Sequence, residues 1–470
     1  MILPLLSNEW RALLRDGRGR TILALGLLLA IGSAWIAAST DHRERRGQAA
    51  AAEGARTAWL EREGDNPHSR AHYGDFVFRP SGPLAGLDSG LQMVTGRSIH
   101  LEAHRQNAAV HIPSRGASAL LRFDRLEPAT VLHLLVPLVL LLTGFGTVAA
   151  ERESGRLRLL LTQGARPLSI LFGKAVALWS VGAVLAFLLV GTHLAFSAQA
   201  AAPGPTALFL LLQLATLWIV SAVVTCVSSL VRRPGTAAGI LLSLWFVCAI
   251  FLPRFATMTA KAALPLPTRD AFEAAMREDR EKGLNGHNPS DERSLEVERE
   301  ILEQYGVATK EELPVNLDGF LMQADEEYGN RVWDKHFGAL EEHLRRQSSL
   351  VGLFSFVDPL VATERISMAI ARTDLESHLY FLGQVEAHRR TLVRMLNEEH
   401  ALGGSKTGDW SWTADQEFYA SFDAFAFEPL PYRRALASTV VEGAALAAWV
   451  ALATGLLFLG ARRLERGGSL

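Results

Sequence analysis

Six long apolar runs, separated by strongly polar segments, are the feature that most constrains the fold of this chain. They cover residues 21–38, 128–149, 172–196, 206–230, 236–252 and 436–460, and from Val131 onward the second carries one ionisable residue, His133. A helix needs about 20 apolar residues to cross the hydrocarbon core of a bilayer, where only helices and closed barrels satisfy their backbone hydrogen bonds. The sequence therefore predicts a mainly α fold, a polytopic bundle of six transmembrane helices.

The composition agrees with a membrane protein that has large polar parts. Of the 470 residues, 49% are hydrophobic and 20% are charged. The net charge of -2 and the lack of a basic segment with interleaved aromatic residues exclude nucleic acid as an expected partner. The two cysteines, Cys226 and Cys248, lie within apolar runs, so no disulfides are expected in the polar segments.

Arginine placement predicts the orientation. Arginines precede the first run, separate the second from the third and the fourth from the fifth, and follow the sixth, whereas the loop 197–205 carries no charge. Short cytoplasmic loops are enriched in positive residues. Both termini, the loop 150–171 and the tail 461–470 are therefore predicted to be cytoplasmic.

Residues 1–20 form an amphipathic leader. An apolar stripe, with arginines on the opposite side, predicts a helix lying on the inner leaflet; the stripe consists of Leu6, Trp10, Leu13 and Leu14. A cleaved signal peptide is the competing interpretation, because small residues follow the first run at Ala37, Ala38 and Ser39.

Two polar segments, 39–127 and 253–435, must lie on the extracytoplasmic side, and both are too long to be simple connectors. The first begins with a helix-favouring stretch through Glu63 and continues with irregular or short β structure that includes the apolar pieces 76–78 and 108–112. The second is predicted to be helical, because apolar residues recur three and four apart. This pattern covers residues 270–282, 291–305, 317–349 and 374–400.

The loop between the second and third runs has the pattern of a short helix. Leu157, Leu160 and Leu161 share one helical face, and Gly155 and Gly164 permit turns at its ends. From the residues alone, the helix either covers the membrane surface or docks on another protein.

A resemblance favours docking. The string 151–155 (Glu-Arg-Glu-Ser-Gly), the leucines that follow it and the string 170–174 (Ile-Leu-Phe-Gly-Lys) resemble the cytoplasmic loop of ABC-2 type transporter permeases. In that family the loop couples the permease to a separate ATP-binding subunit. The resemblance implies coupling roles for Glu151, Arg152, Glu153, Gly155, Leu157, Leu160, Leu161, Gly173 and Lys174.

The second half of the chain resembles a domain of unknown function that some bacterial ABC-2 permeases carry before their last transmembrane helix. The matching residues are Asp358-Pro359-Leu360, Arg365 to Ala369, Thr373-Asp374, His378, Phe381, Glu386 to Arg389, Leu396-Asn397 and Phe425 to Pro429. The aromatic ending departs from the family's usual Pro-Phe-x-Tyr string, since residues 424–427 read Ala-Phe-Ala-Phe.

No catalytic or cofactor site is predicted in this chain. The phosphate-binding pattern Gly-x-x-x-x-Gly-Lys-Ser/Thr is absent, because Gly173-Lys174 is followed by Ala175 and lacks the upstream glycine. ATP and magnesium are therefore expected on the partner ATPase. The histidines of the long polar helices are expected to be solvated, not metal ligands; they are His336, His343, His378, His388 and His400.

His133, His193 and Glu442 are ionisable residues in the outer thirds of their predicted spans. Such residues usually face a cavity or a partner, so together they form a candidate polar pocket. The alternative is that they reach headgroups or the extracytoplasmic segments separately.

Together with the sequence pattern, the resemblance implies a non-catalytic permease subunit in a bacterial cytoplasmic (inner) membrane, which couples ATP hydrolysis by a separate subunit to the export of an unknown substrate. The expected partners are an ABC ATP-binding dimer, a second copy or similar permease, membrane lipid, and a periplasmic or outer-membrane protein. An ATP-driven mechanotransmitter or assembly factor that passes no substrate is the main alternative, and a receptor or scaffold without an ATPase is a third.

Overall fold

The computed structural model describes residues 2–62, 64–107, 127–197, 202–284 and 290–466. Within them it contains six helices long and apolar enough to cross a membrane, and the prediction of a mainly α, six-span chain is confirmed. Spans 1 to 6 are Gly17–Glu61, Pro128–Glu153, Pro167–Phe196, Pro203–Leu230, Pro234–Ala263 and Val440–Arg466. Spans 2 and 5 each contain a π-helical turn, at Val131–Leu135 and Val247–Phe251.

The helix α1, Ile2–Arg15, precedes span 1 and packs against span 3. The indole N–H of Trp10 donates a hydrogen bond to the Ser180 hydroxyl at 2.9 Å. A new helix begins at Gly17 because Asp16 caps it, its carboxylate accepting from the Gly19 N–H. Trp10 and Leu13 of the leader's apolar stripe therefore pack against the bundle, whereas Leu14 is 49% exposed.

The polar segments 39–127 and 253–435 are called the first and second extracytoplasmic segments after the side that the sequence predicts for them. The first contains α2 (Pro67–Tyr73), β1 (Asp75–Phe78), α3 (Gln92–Thr95) and β2 (Ser98–Leu101). The two strands pair antiparallel, with Val77 opposite Ile99. Asn66 caps α2 by accepting from the N–H of His68. The helix predicted at the start of this segment is the continuation of span 1, which ends at Glu61. Glu63 and the apolar piece 108–112 lie outside the described residues.

The second extracytoplasmic segment is helical, as predicted. After the loop helix α4 (Arg156–Thr162), the remaining helices are α5 to α11. They are Arg269–Lys282, Ser290–Tyr305, Leu317–Leu353, Pro359–Ala371, Leu375–Leu402, Gln416–Ala420 and Tyr432–Ala437. Two 3-10 turns, Lys310–Glu312 and Phe354–Phe356, interrupt them.

The two extracytoplasmic segments pack together. Trp59, near the end of span 1, is buried and donates to the carbonyl of Tyr419 at 2.9 Å. Val77 and Ile99 of the two strands share a core with Phe381 of α9. Because these contacts join residues far apart in sequence, the segments form one extracytoplasmic body.

The helix α8 packs against spans 4 and 6. Ala362 and Ile370 are fully buried in the same core as the spans, and the hydroxyls of Thr363 and Thr216 lie 2.7 Å apart. Thr216 is 14 residues before the end of span 4 at Leu230, about 21 Å along the helix axis. Part of the segment 253–435 therefore lies alongside the spans, beyond what the simple extracytoplasmic assignment anticipates.

A buried carboxyl marks the junction between the first segment and α8. The Ser367 hydroxyl donates to the Asp88 carboxylate, which also accepts from the N–H of Gly90. Burial raises the pKa of Asp88 to about 7, Ser367 opposes the shift, and the nearby carboxylates of Glu127 and Glu364 add to it. The junction therefore contains a group that titrates near neutral pH.

Candidate coupling loop

The loop between spans 2 and 3 is a short helical hairpin. Span 2 ends at Glu153, and Gly155 adopts a left-handed conformation (φ 76°) from which α4 begins. A second left-handed glycine, Gly164 (φ 87°), ends the hairpin before span 3 starts at Pro167. Residues with a Cβ are strained at such φ values, so the turn at Gly155 depends on glycine.

Lys174 ties the loop to the leader helix. Its ammonium lies 2.5 Å from a carboxylate oxygen of Glu9 in α1 and 2.8 Å from one of Glu151 in span 2. The lysine is only 1% exposed, and a buried ammonium requires such partners. This ion cluster joins α1, span 2 and span 3.

Arg152 ties the loop to span 4. Its guanidinium donates to the carbonyls of Ser229 (2.6 Å) and Val231 (2.5 Å), at the end of span 4, where the helix leaves carbonyls unsatisfied. The hydroxyl of Ser228 accepts from two backbone N–H groups of span 2, at 3.0 and 3.1 Å. The start of the hairpin is therefore held to span 4 by hydrogen bonds in both directions.

The leucines of α4 divide between the bundle and the solvent. Leu157 is fully buried, and Leu160 and Leu161 are half-buried against the core of the spans. Leu159 faces outward and is 57% exposed. The face that the sequence indicated for docking thus packs on the protein's own bundle. The outward surface consists of Leu159 with the exposed residues Glu153, Gly155, Arg156 and Arg158.

Gly173 marks a close approach between span 3 and α1. A Cβ at this position would lie 2.9 Å from the Cδ1 atom of Leu5. The structure therefore gives Gly173 a packing role beside the ion cluster.

The structure also brings in residues that the sequence reasoning missed. Glu9 is the one acidic residue among the first 15, on an otherwise basic leader, and that isolation was a usable signal. No such signal in the sequence marks Ser228 or the exposed Leu159, because their roles depend on tertiary packing.

The intramembrane ionisable residues have separate partners. Glu442, at the start of span 6, forms an ion pair with Arg365 of α8, with 2.6 Å between Nε and Oε1. Glu442 therefore joins the last span to the extracytoplasmic body. This contact corresponds to the alternative in which the ionisable residues reach the extracytoplasmic segments separately.

The two histidines also point to different neighbours. His133 lies in the π-helical turn of span 2, with its Nε2 atom 3.1 Å from Nε2 of Gln213 in span 4. His193 is buried near the end of span 3 and packs against Gly86 of the first extracytoplasmic segment. The described residues show three separate contacts where the sequence suggested one pocket.

Comparison with protein-family models finds two matches. Residues 101–272 match the ABC-2 family transporter protein model, which covers spans 2 to 5 and the hairpin. Residues 269–428 match a domain of unknown function, DUF3526, which covers α5 to α10. A search of curated proteins finds no match to the chain.

Proposed function

We propose that this chain, which carries an ABC-2 family transporter membrane domain followed by a DUF3526 domain, is the permease subunit of an ATP-driven exporter. One observation supports the proposal: the hairpin has an exposed face, on the side that the arginine pattern predicts to be cytoplasmic, while ionic and hydrogen-bonded contacts fix it to spans 2, 3 and 4. A loop that only covered the membrane surface would need no such fixation. ATP and magnesium bind to a separate ATPase dimer, and this chain performs no catalysis.

The mechanism follows from these contacts. Closure of the ATPase dimer on ATP pushes the outward surface around Leu159. The cluster of Lys174 passes that displacement to α1 and span 3, and Arg152 passes it to span 4. ATP then biases an equilibrium between two arrangements that the permease already samples. Two copies of this chain, or one copy with a similar permease, form the pathway across a bacterial inner membrane, with both termini in the cytoplasm.

A second candidate function rests on α8. The contact between Thr363 and span 4, and the bond from the Trp449 indole N–H to the Ser355 carbonyl at 3.0 Å, connect the spans directly to the extracytoplasmic body. This connection favours mechanotransmission, in which ATP hydrolysis moves the extracytoplasmic body against a periplasmic or outer-membrane partner and no substrate crosses.

ATPase stimulation tests the contact with the partner. The chain and the candidate ATPase are co-purified in nanodiscs, and Leu159→Asp is compared with the wild type. We expect at least a tenfold loss of stimulated hydrolysis, because a charge would enter an apolar docking contact. Leu295→Asp is the matched control, since Leu295 is 66% exposed but lies in α6. Wild-type stimulation by Leu159→Asp would contradict docking at this surface.

Hydrogen exchange separates the two functions. In the co-purified complex, mechanotransmission predicts that ATP changes amide protection in α7 and α9, far from the nucleotide. Substrate passage alone predicts changes confined to the spans and the hairpin.

A further inference from the structure

Three histidines converge on the surface of the extracytoplasmic body. His68 and His72 are four residues apart on α2 and share a helical face. His104 follows β2, where the N–H of Ala103 donates to the carbonyl of Ala71 at 2.9 Å and brings the chain back beside α2. One nitrogen from each of the three rings lies within 4.8 Å of the others.

The spacing of these nitrogens fits a tetrahedral metal ion. Zinc binds imidazole nitrogen at about 2.0–2.1 Å, which places two tetrahedral ligands about 3.3 Å apart. The Nε2 atoms of His68 and His72 are 3.1 Å apart. His72 is exposed and the other two rings are half-buried, so a bound ion would keep an open position toward solvent. The competing interpretation is a metal-free cluster in which one imidazole donates to another.

The surroundings of His104 favour metal binding. Oε1 of Glu326, a 2% exposed residue of α7, lies 2.8 Å from its Nδ1 atom, and the His104 backbone N–H donates to the same carboxylate. A carboxylate beside one ring nitrogen keeps the proton there and leaves the other nitrogen as a ligand. Arg389 of α9 holds Glu326 from the other side at 3.2 Å.

The backbone of His104 supports the same conclusion. Its φ of 59° is left-handed, which is uncommon for a residue with a Cβ. This conformation presents the ring to α2 while its amide faces Glu326. His336, which the sequence analysis considered, also lies beside a carboxylate, 2.7 Å from that of Asp279, but it is not part of the cluster of three histidines.

We propose that His68, His72 and His104 form a binding site for a divalent transition-metal ion, with zinc as the expected occupant. Neutral imidazole is a ligand that zinc, copper and nickel share, whereas magnesium and calcium prefer oxygen. All three ligands belong to the first extracytoplasmic segment, and the contact of His104 with Glu326 of α7 joins the site to the DUF3526 domain. The proposal does not depend on the ATPase contact.

Metal titration of the full-length chain tests the site. The protein is purified in detergent with an affinity tag that contains no histidine, treated with a chelator, and titrated with Zn²⁺ by calorimetry and with Co²⁺ by visible absorption. We expect one ion per chain with a micromolar or tighter Kd, tetrahedral Co²⁺ bands, and no comparable response to Mg²⁺. His72→Gln should weaken binding at least tenfold, and His343→Gln, on α7 and outside the cluster, should leave it unchanged.

His72 is the decisive position because its side chain is exposed and the fold does not depend on it. His104→Gln is a second variant, judged only if its metal-free thermal unfolding matches the wild type. Saturable Cu²⁺ or Ni²⁺ binding that is lost in His72→Gln would support the site and change its occupant. Equal Zn²⁺ affinity in His72→Gln and wild type, or no saturable binding below 1 mM, would overturn the proposal in favour of a hydrogen-bonded histidine cluster.

Discussion

Replacement of Lys174 by methionine tests whether the ion cluster holds α1 to the bundle. Methionine keeps most of the length and the unbranched apolar stem of the side chain but removes the charge. Glu9 and Glu151 would then face the same site with no cation between them, although both ion-pair distances are now below 3 Å.

The expected cost follows from burial. Removing one partner of a buried ionic contact typically destabilises a protein by about 3–5 kcal/mol. Here the lysine side chain is 1% exposed, but those of Glu9 and Glu151 are 26% and 22% exposed, so water screens part of the repulsion. We therefore expect Lys174→Met to lower the free energy of unfolding by about 2–3 kcal/mol.

Denaturant unfolding in mixed micelles, followed by circular dichroism, measures this change. The triple variant Lys174→Met, Glu9→Gln, Glu151→Gln should recover most of the loss, because replacing a whole buried ionic set is often nearly neutral. Lys261→Met, at an exposed position in span 5, should stay within about 0.5 kcal/mol of the wild type. The reasoning is refuted if the triple variant is as unstable as Lys174→Met, or if Lys174→Met matches its control.

The remaining predictions concern the hairpin, the junction and span 6. Gly155→Ala should cost about 1–2 kcal/mol and reduce ATPase stimulation, because alanine is strained at φ 76°; Gly235→Ala, in open helical space, should be neutral in both assays. The pKa of Asp88 is raised on folding to about 7, so the native state binds the extra proton. The free energy of unfolding should therefore fall by up to about 4 kcal/mol as pH rises from about 4 to 7, and the melting temperature should fall with it. Asp88→Asn should remove this pH dependence of the melting temperature. Glu442→Gln removes the carboxylate charge opposite Arg365, which keeps its hydrogen bond to Ser348, and should lower the unfolding free energy by about 2–4 kcal/mol. A variant as stable as the wild type would contradict a structural ion pair.

The helices were predictable where the determining pattern is local. The pattern over 317–349 predicted α7, and the structure extends it only to Leu353. The apolar runs likewise identified all six spans, since length and hydropathy alone decide whether a helix can cross a bilayer. The end of span 1 was less predictable, because a polar helix can continue out of the membrane without any local signal at Ala38.

The hairpin shows where local reasoning stops. Gly155 and Gly164 indicated its turns correctly, because a left-handed φ is a local requirement. The outward face of α4 could not be predicted in the same way, because a helix of seven residues with four leucines has apolar side chains on several faces. Only packing against the spans decides that Leu157 is buried and Leu159 exposed.

The histidine cluster depends on contacts that no sequence window contains. A scan for histidines four apart finds His68 and His72, but such pairs are common on solvated helices. His104 joins them only because β2 pairs with β1 and the chain returns beside α2. The carboxylate that orients His104 comes from Glu326, 222 residues further along the chain. The three ligands lie in one segment, but the carboxylate that orients His104 comes from the other, so separating the two segments should weaken metal binding by about 10–100-fold even with all three histidines intact.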